Sequence, residues 1–161
     1  MTGPPEIAYD DFNRLESCVT DQFGPWGEEA IVTQEVIDSF ADLSGDRQWI
    51  HTDVERSKTE SPFGTTIAHG FLLLALLPRL RSESVKIVGH ASALNYGSDK
   101  LRFLAPVPAG ARIHARSRLA DLEARQSGTL VTTEIEVSVV GAERPSLLYR
   151  MQVLYRGRAG S

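Results

Sequence analysis

Residues 70–77 read GFLLLALL, a run with no polar residue on any side. A helix that is apolar all round belongs inside a protein, because no face of it suits water. At about eleven residues with its flanks it is too short for a bilayer, which needs about twenty. Pro78 has to kink or end it, since the proline ring removes the hydrogen bond to the carbonyl four residues back. Arg79 and Arg81 then stand where cations suit a helix C-terminus. The chain must therefore supply something that can enclose such a helix.

Its second half does. Ile113, Ala115, Ser117 and Leu119 alternate with Arg112, His114, Arg116 and Arg118. Val131, Thr133, Ile135, Val137 and Val139 alternate in the same way with Thr132, Glu134, Glu136 and Ser138, and Leu147, Tyr149, Met151, Val153 and Tyr155 form a third series. Period two marks strands with one apolar face. Turn residues at Gln126-Ser127-Gly128 and at 141–144 join them as an antiparallel meander. Further strands are expected at 85–88, at 92–96 and at 100–107, the last with Leu101, Phe103 and Ala105 on one face before Pro106 and Pro108 break it. A large antiparallel sheet with one apolar face solves the problem of the helix by wrapping it. The expected class is α+β and the architecture the hot-dog fold. That fold hosts thioesterases and dehydratases alike, so it does not fix a function.

The first half is less regular. Residues 1–9 and 157–161 are expected to fray. Residues 9–19 read as a short helix or an extended segment that packs Phe12 and Leu15, and 21–27 as a loop with Gly24, Pro25 and Gly27. A short strand at 28–32 leads to Thr33, which offers an N-cap with Glu35 in the first turn. Val36, Ile37, Phe40 and Leu43 then recur at helical spacing, and Gly45 closes the helix as a C-cap. Residues 52–66 are polar and rich in turn formers, and read as a long loop.

At 161 residues the chain is expected to be one domain, 1–161. A net charge of −4 with no concentrated Lys/Arg face argues against a nucleic-acid partner. Cys18, the only cysteine, cannot form an internal disulfide. The opening MTGPPEIAYD lacks the basic lead and apolar core of a signal peptide, so a cytoplasmic location without membrane attachment is expected.

Chemistry concentrates ahead of the apolar run. Asp46 and His51 stand five positions apart in Phe40-Ala41-x-Leu43-Ser44-Gly45-Asp46-x-x-x-Ile50-His51-x-Asp53, and Ala68-His69-Gly70-Phe71 follows. This pattern resembles the MaoC-like dehydratases, more narrowly the (R)-specific enoyl-CoA hydratases, over roughly residues 28–110. Gln48-Trp49 stands where that family usually has Asn-Pro. This variant, with GTTIAHGF downstream, is similar to the mycobacterial-type single-hot-dog hydratases and to the nodulation protein N group.

The resemblance implies reversible hydration of a trans-2-enoyl-CoA to the (R)-3-hydroxyacyl thioester, with Asp46 and His51 sharing one water. It also implies a homodimer joined sheet edge to sheet edge, and an acyl tunnel near that interface. No metal and no cofactor beyond the coenzyme A of the substrate are expected, because an acid–base pair can move both protons. The backbone N–H of Gly70, in the first turn of the helix, is the expected oxyanion donor. Glycine there lets a carbonyl approach the backbone. Gln48, Trp49, His69, Asn95, Tyr96 and Gly97 are candidate substrate-binding residues. Each has a structural alternative: His69 can simply hydrogen-bond the loop, Gln48 can hold a water, and 95–97 can be strand-end packing. Asp53 reads as a cap, and Lys100 and Arg102 as a solvated strand face.

Competing functions have weaker support. A metal-dependent hydrolase on Asp46, His51 and Asp53 lacks a His-x-x-x-His or cysteine pair, and a serine hydrolase lacks the Gly-x-Ser-x-Gly elbow. A hot-dog acyl-CoA thioesterase would place an acid on or just before the central helix, yet 71–77 contains none. A non-catalytic subunit that binds acyl thioesters is the remaining alternative.

Overall fold

The structure, a computed structural model, describes residues 3–80 and 83–158. Strand β1 (Glu6–Ala8) and helix α1 (Phe12–Glu16) open it. Then come β2 (Ala30–Ile31), α2 (Gln34–Ser44), α3 (Trp49–Thr52), α4 (Val54–Glu60) and α5 (Gly70–Leu80). Strands β3 (Lys86–Val88), β4 (Ser92–Phe103), β5 (Arg112–Arg125), β6 (Gly128–Val139) and β7 (Leu147–Arg156) complete the chain. The main sheet has the order β2-β5-β6-β7-β4, antiparallel throughout. It is the hot-dog arrangement expected from the sequence, a curled sheet around α5.

The apolar series meet as anticipated. Leu72, Leu73 and Leu80 of α5 join Val32, Ile37, Ile113, Ala115, Ile135, Val137 and Leu147 in one buried cluster. Fully burying one such aliphatic side chain stabilises the fold by about 1.5–3 kcal/mol, so this cluster dominates the fold's energetics. Helix α2 is capped as its sequence requires: Thr33 accepts from the Val36 N–H, and Gly45 takes φ 80°, a left-handed value natural to glycine.

Several expectations need correction. Residues 6–8 do not fray; β1 pairs in parallel with β3, and Ile7 is buried. Residues 1–2 and 159–161, and Arg81 with them, lie outside the described residues. The 52–66 stretch is not simply a loop, because it contains α4. Charged side chains hid that helix from a search for apolar periodicity, and it is held by the Asp53 cap and by the Arg56–Glu60 and Lys58–Glu55 pairs. Pro78 does not end α5, which runs on to the buried Leu80. Only the hydrogen bond of Pro78 to the Leu74 carbonyl is forfeited, one turn from the end where it matters least. The segments 92–96 and 100–107 form a single strand with shifts in register between Asn95 and Gly97 and between Ser98 and Lys100, ending at Phe103.

The two edges of the sheet are treated differently. Along the edge of β5, the N–H groups of Thr20, Gly24 and Gly27 donate to the carbonyls of Leu119, Ser117 and Ala115 at 3.0, 2.9 and 2.7 Å. The 20–27 segment thus acts as a cover strand. Its Phe23 and Trp26 lie against the Arg116 guanidinium at 5.0 and 4.5 Å. The polar face of β6 is not half-exposed as its alternation suggested, with Thr132, Glu136 and Ser138 all buried and Glu136 paired with Arg116. Among the described residues the edge at β4 has no such cover: residues 93–100 are exposed throughout, Tyr96 to 55%. Nor does the sheet fully enclose α5, whose Phe71 is 65% exposed.

Candidate active site

The left-handed Gly45 turns the chain out of α2 and delivers Asp46. The Asp46 N–H donates to Ser44 Oγ at 3.2 Å, and its carboxylate accepts from the Gln48 N–H at 3.4 Å. Its side chain remains exposed in the protomer. The chain then tightens into α3, which carries His51 inward to 8% exposure. His51 Nδ1 lies 2.7 Å from the Ile67 carbonyl. A carbonyl only accepts, so Nδ1 bears the hydrogen and Nε2 keeps its lone pair. Burial pushes the His51 pKa down, assisted by the neighbouring His69 and opposed by the Ile67 carbonyl and Asp46. His51 is therefore held as a neutral imidazole with one basic nitrogen.

A residue that the sequence reading passed over secures this arrangement. Gln34, the first residue of α2, donates through Nε2 to the His51 carbonyl at 2.8 Å and to Asp38 at 2.8 Å, while its Oε1 accepts from the buried Thr66 hydroxyl. The backbone joins the same elements, with the Ile67 N–H donating to the Ile50 carbonyl at 3.0 Å. No short-range signal marks this role of Gln34, since the His51 carbonyl and the Thr66 hydroxyl lie 17 and 32 positions away.

His69 lies beside the pair. Its Nε2–H donates to the Asp46 main-chain carbonyl at 2.8 Å, and its ring stacks on His51 with centroids 3.8 Å apart. A ring nitrogen of each histidine and a carboxylate oxygen of Asp46 all lie within 4.8 Å of one another. Two hydrogen bonds of about 2.8 Å to one water span about 4.5 Å, so a single water can bridge Asp46 and His51. Each imidazole gives one ring nitrogen to a carbonyl and keeps the other open.

Gly70 begins α5, and its N–H has no acceptor among the described residues. An apolar cavity of about 430 Å³ opens there, lined by His51, Gly70, Phe63, Phe71, Phe103 and Leu104 among others. A larger, polar cavity of about 710 Å³ lies at the 125–129 turn and touches none of these residues.

The remaining candidates are spread apart. Gln48 is exposed at the start of α3, and Trp49 lies under the Arg56 guanidinium at 4.3 Å. Asp53 caps α4 by accepting from the Arg56 N–H at 3.0 Å. Asn95, Tyr96 and Gly97 are not brought to this cavity within the protomer. They sit on the open part of β4, and Asn95 is eight residues from Phe103, about 26 Å at the usual strand rise.

A buried imidazole and a carboxylate lie within 4.8 Å of each other beside an apolar cavity, a set of groups that suits an enzyme that adds or removes water. The comparisons agree. A family model described as "MaoC like domain" matches residues 26–141. 3-Hydroxyacyl-thioester dehydratase Z of Mycobacterium tuberculosis (strain ATCC 25618 / H37Rv) is 47% identical over 125 residues, which are 77% of this chain and 82% of that protein. Nodulation protein N of Rhizobium leguminosarum bv. viciae is 45% identical over 118 residues, covering 72% and 73%. The X-ray structure of the monoamine oxidase regulatory protein from Archaeoglobus fulgius superposes with a TM-score of 0.71 at 28% identity, covering 85% of this chain and 92% of that one. The chain belongs to the MaoC-like dehydratase family, and it is a hydratase/dehydratase, a hydro-lyase.

Proposed function

We propose that the chain catalyses the reversible hydration of trans-2-enoyl thioesters to (R)-3-hydroxyacyl thioesters. The observation that carries this reading is the water-bridge spacing of Asp46 and His51 beside an apolar cavity. The acyl group lies in the cavity with its thioester carbonyl against the Gly70 N–H. His51 Nε2 takes a proton from the water that Asp46 orients, and the water oxygen bonds to Cβ. The electron pair of the double bond moves toward the thioester, where the Gly70 N–H and the positive end of α5 stabilise the enolate oxygen. A proton from the pair then goes to Cα. The oxygen and both hydrogens of the water are accounted for, and no cofactor is needed beyond the coenzyme A or acyl carrier of the substrate. The (R) outcome follows from the sequence resemblance, and the thioester class from it and from the dehydratase Z relative.

The working unit is a homodimer joined at β4, because an uncovered, partly apolar edge strand is a site for pairing. Two-fold antiparallel pairing brings the Ser92 end of one strand to the Phe103 end of the other, carrying the partner's Asn95, Tyr96 and Gly97 toward this chain's cavity. A cytoplasmic location suits such a substrate, and among the described residues no helix is long and apolar enough to cross a membrane.

The test is the loss of enoyl-thioester absorbance on adding crotonyl-CoA, with the product analysed for chirality. Formation of (R)-3-hydroxybutyryl-CoA is expected. Release of free coenzyme A without hydration, or an (S) product, would overturn the reading.

A further inference from the structure

His69 touches both members of the acid–base pair, and how it does so goes beyond the reaction proposed above, on which this inference rests. Its side chain is 3% exposed, and among the described residues its buried Nδ1 has no hydrogen-bond partner. Nε2 donates to a carbonyl, so Nδ1 carries a bare lone pair. Leaving a buried polar atom unsatisfied costs about 1–3 kcal/mol. A leucine would fill the same space without that cost. What compensates lies in the other nitrogen and in the face of the ring.

We propose that His69 is the positioning residue that locks Asp46 and His51 into one unit, holding the Asp46 backbone with its Nε2–H and the His51 imidazole with its ring face. Asp46 sits in an exposed turn whose local ties, from its N–H to Ser44 Oγ and from the Gln48 N–H to its carboxylate, also lie at the surface. The bond from His69 is what fastens the turn to the buried part of the molecule. His51 is anchored at one ring atom, Nδ1. A ring held at one edge can tilt, and the stacked His69, backed by the edge of Phe40 at 5.1 Å, blocks that tilt.

Three substitutions separate the two contributions. His69→Gln keeps an N–H at the right reach and loses the ring, His69→Phe keeps a ring and loses the N–H, and His69→Leu loses both. For His69→Leu the expected result is kcat lower by about 10²-fold with KM within about threefold, since misplacement on the ångström scale is worth that much. The other two are expected to recover at least about tenfold over it. A rise in KM alone would make His69 a substrate contact instead, and unchanged kcat in His69→Leu would remove it from the site; either overturns the proposal.

Nitrogen-15 NMR of the histidine rings gives a readout that needs no substrate. His51 is expected as the single Nδ1–H tautomer in the wild type and as a tautomer mixture in His69→Leu, or in His69→Phe if the leucine variant fails to fold. An unchanged His51 spectrum would overturn the proposal. An inactive wild type with the expected spectra would refute only the thioester reaction.

Discussion

Placing one methyl group at position 70 tests the geometry of the site sharply. A Cβ built on Gly70 lies 2.7, 2.8 and 3.0 Å from Cε1, Cδ1 and Cζ of Phe103. Favourable carbon–carbon separations are about 3.5–4.0 Å, so the ring must retreat by about 1 Å. It has room to do so, being 46% exposed on the last residue of β4. Forcing the ring off its rotamer costs about 0.5–1.5 kcal/mol. Replacing helical glycine with alanine returns as much as about 0.5–1 kcal/mol. The net change is about 1 kcal/mol or less, and in a chain of this size Tm should move by no more than about 4 °C.

The chemistry should suffer far more, because the displaced ring is a wall of the apolar cavity beside His51. A shift of about 1 Å there predicts a loss on the order of 10²-fold in kcat/KM for Gly70→Ala. Crotonyl-CoA hydration and a thermal melt on the same preparation measure both quantities. The cycle is completed with Phe103→Ala and the double variant. If the clash is the cause, adding Gly70→Ala to Phe103→Ala should cost less than about threefold. A Gly70→Ala enzyme with wild-type kcat/KM, or an equal loss in both backgrounds, would refute the reasoning.

Other consequences follow from the same geometry. Burial lowers the His51 pKa, so its neutral, basic form persists below the ordinary histidine value of about 6.5, and the acid limb of kcat/KM should fall below that pH. The unfolded chain protonates this group first, so stability should be full above about pH 6.5 and decline as pH falls toward the folded-state pKa. His51→Gln should remove that part of the slope in urea titrations at several pH values, and an unaltered slope would contradict the assignment. Gln34→Ala strands the His51 carbonyl and the Thr66 hydroxyl. It should destabilise the fold by about 1–3 kcal/mol in urea and lower kcat more than it raises KM. Tyr96→Asp on the open edge of β4 should convert a dimer to a monomer by light scattering with loss of activity, whereas an active monomer would refute the shared site.

The sequence disclosed most where burial imposed a pattern. The period-two series of β5, β6 and β7 and the apolar run of α5 specified the sheet and what it wraps, because each must present one kind of surface to the core. Thr33 and Gly45 marked the limits of α2 through their local chemistry. Helix α4 was illegible because its stability comes from ion pairs and a cap, which leave no apolar stripe. The cover on β5 was illegible because Phe23 and Trp26 reach Arg116 from about ninety positions away, out of a segment that looks like a loop. At the site, Asp46 and His51 could be read from their frame. Gln34 and the stacking of His69 depend on long-range contacts that no local spacing encodes.

The most direct test of the account compares crotonyl-CoA hydration by the wild type, Asp46→Asn and His51→Gln, with folding checked by circular dichroism. The account predicts hydration by the wild type and a loss of about 10²- to 10⁴-fold in each variant, the usual worth of a general acid or base. A folded His51→Gln or Asp46→Asn protein that still hydrated the substrate at the wild-type rate would contradict it.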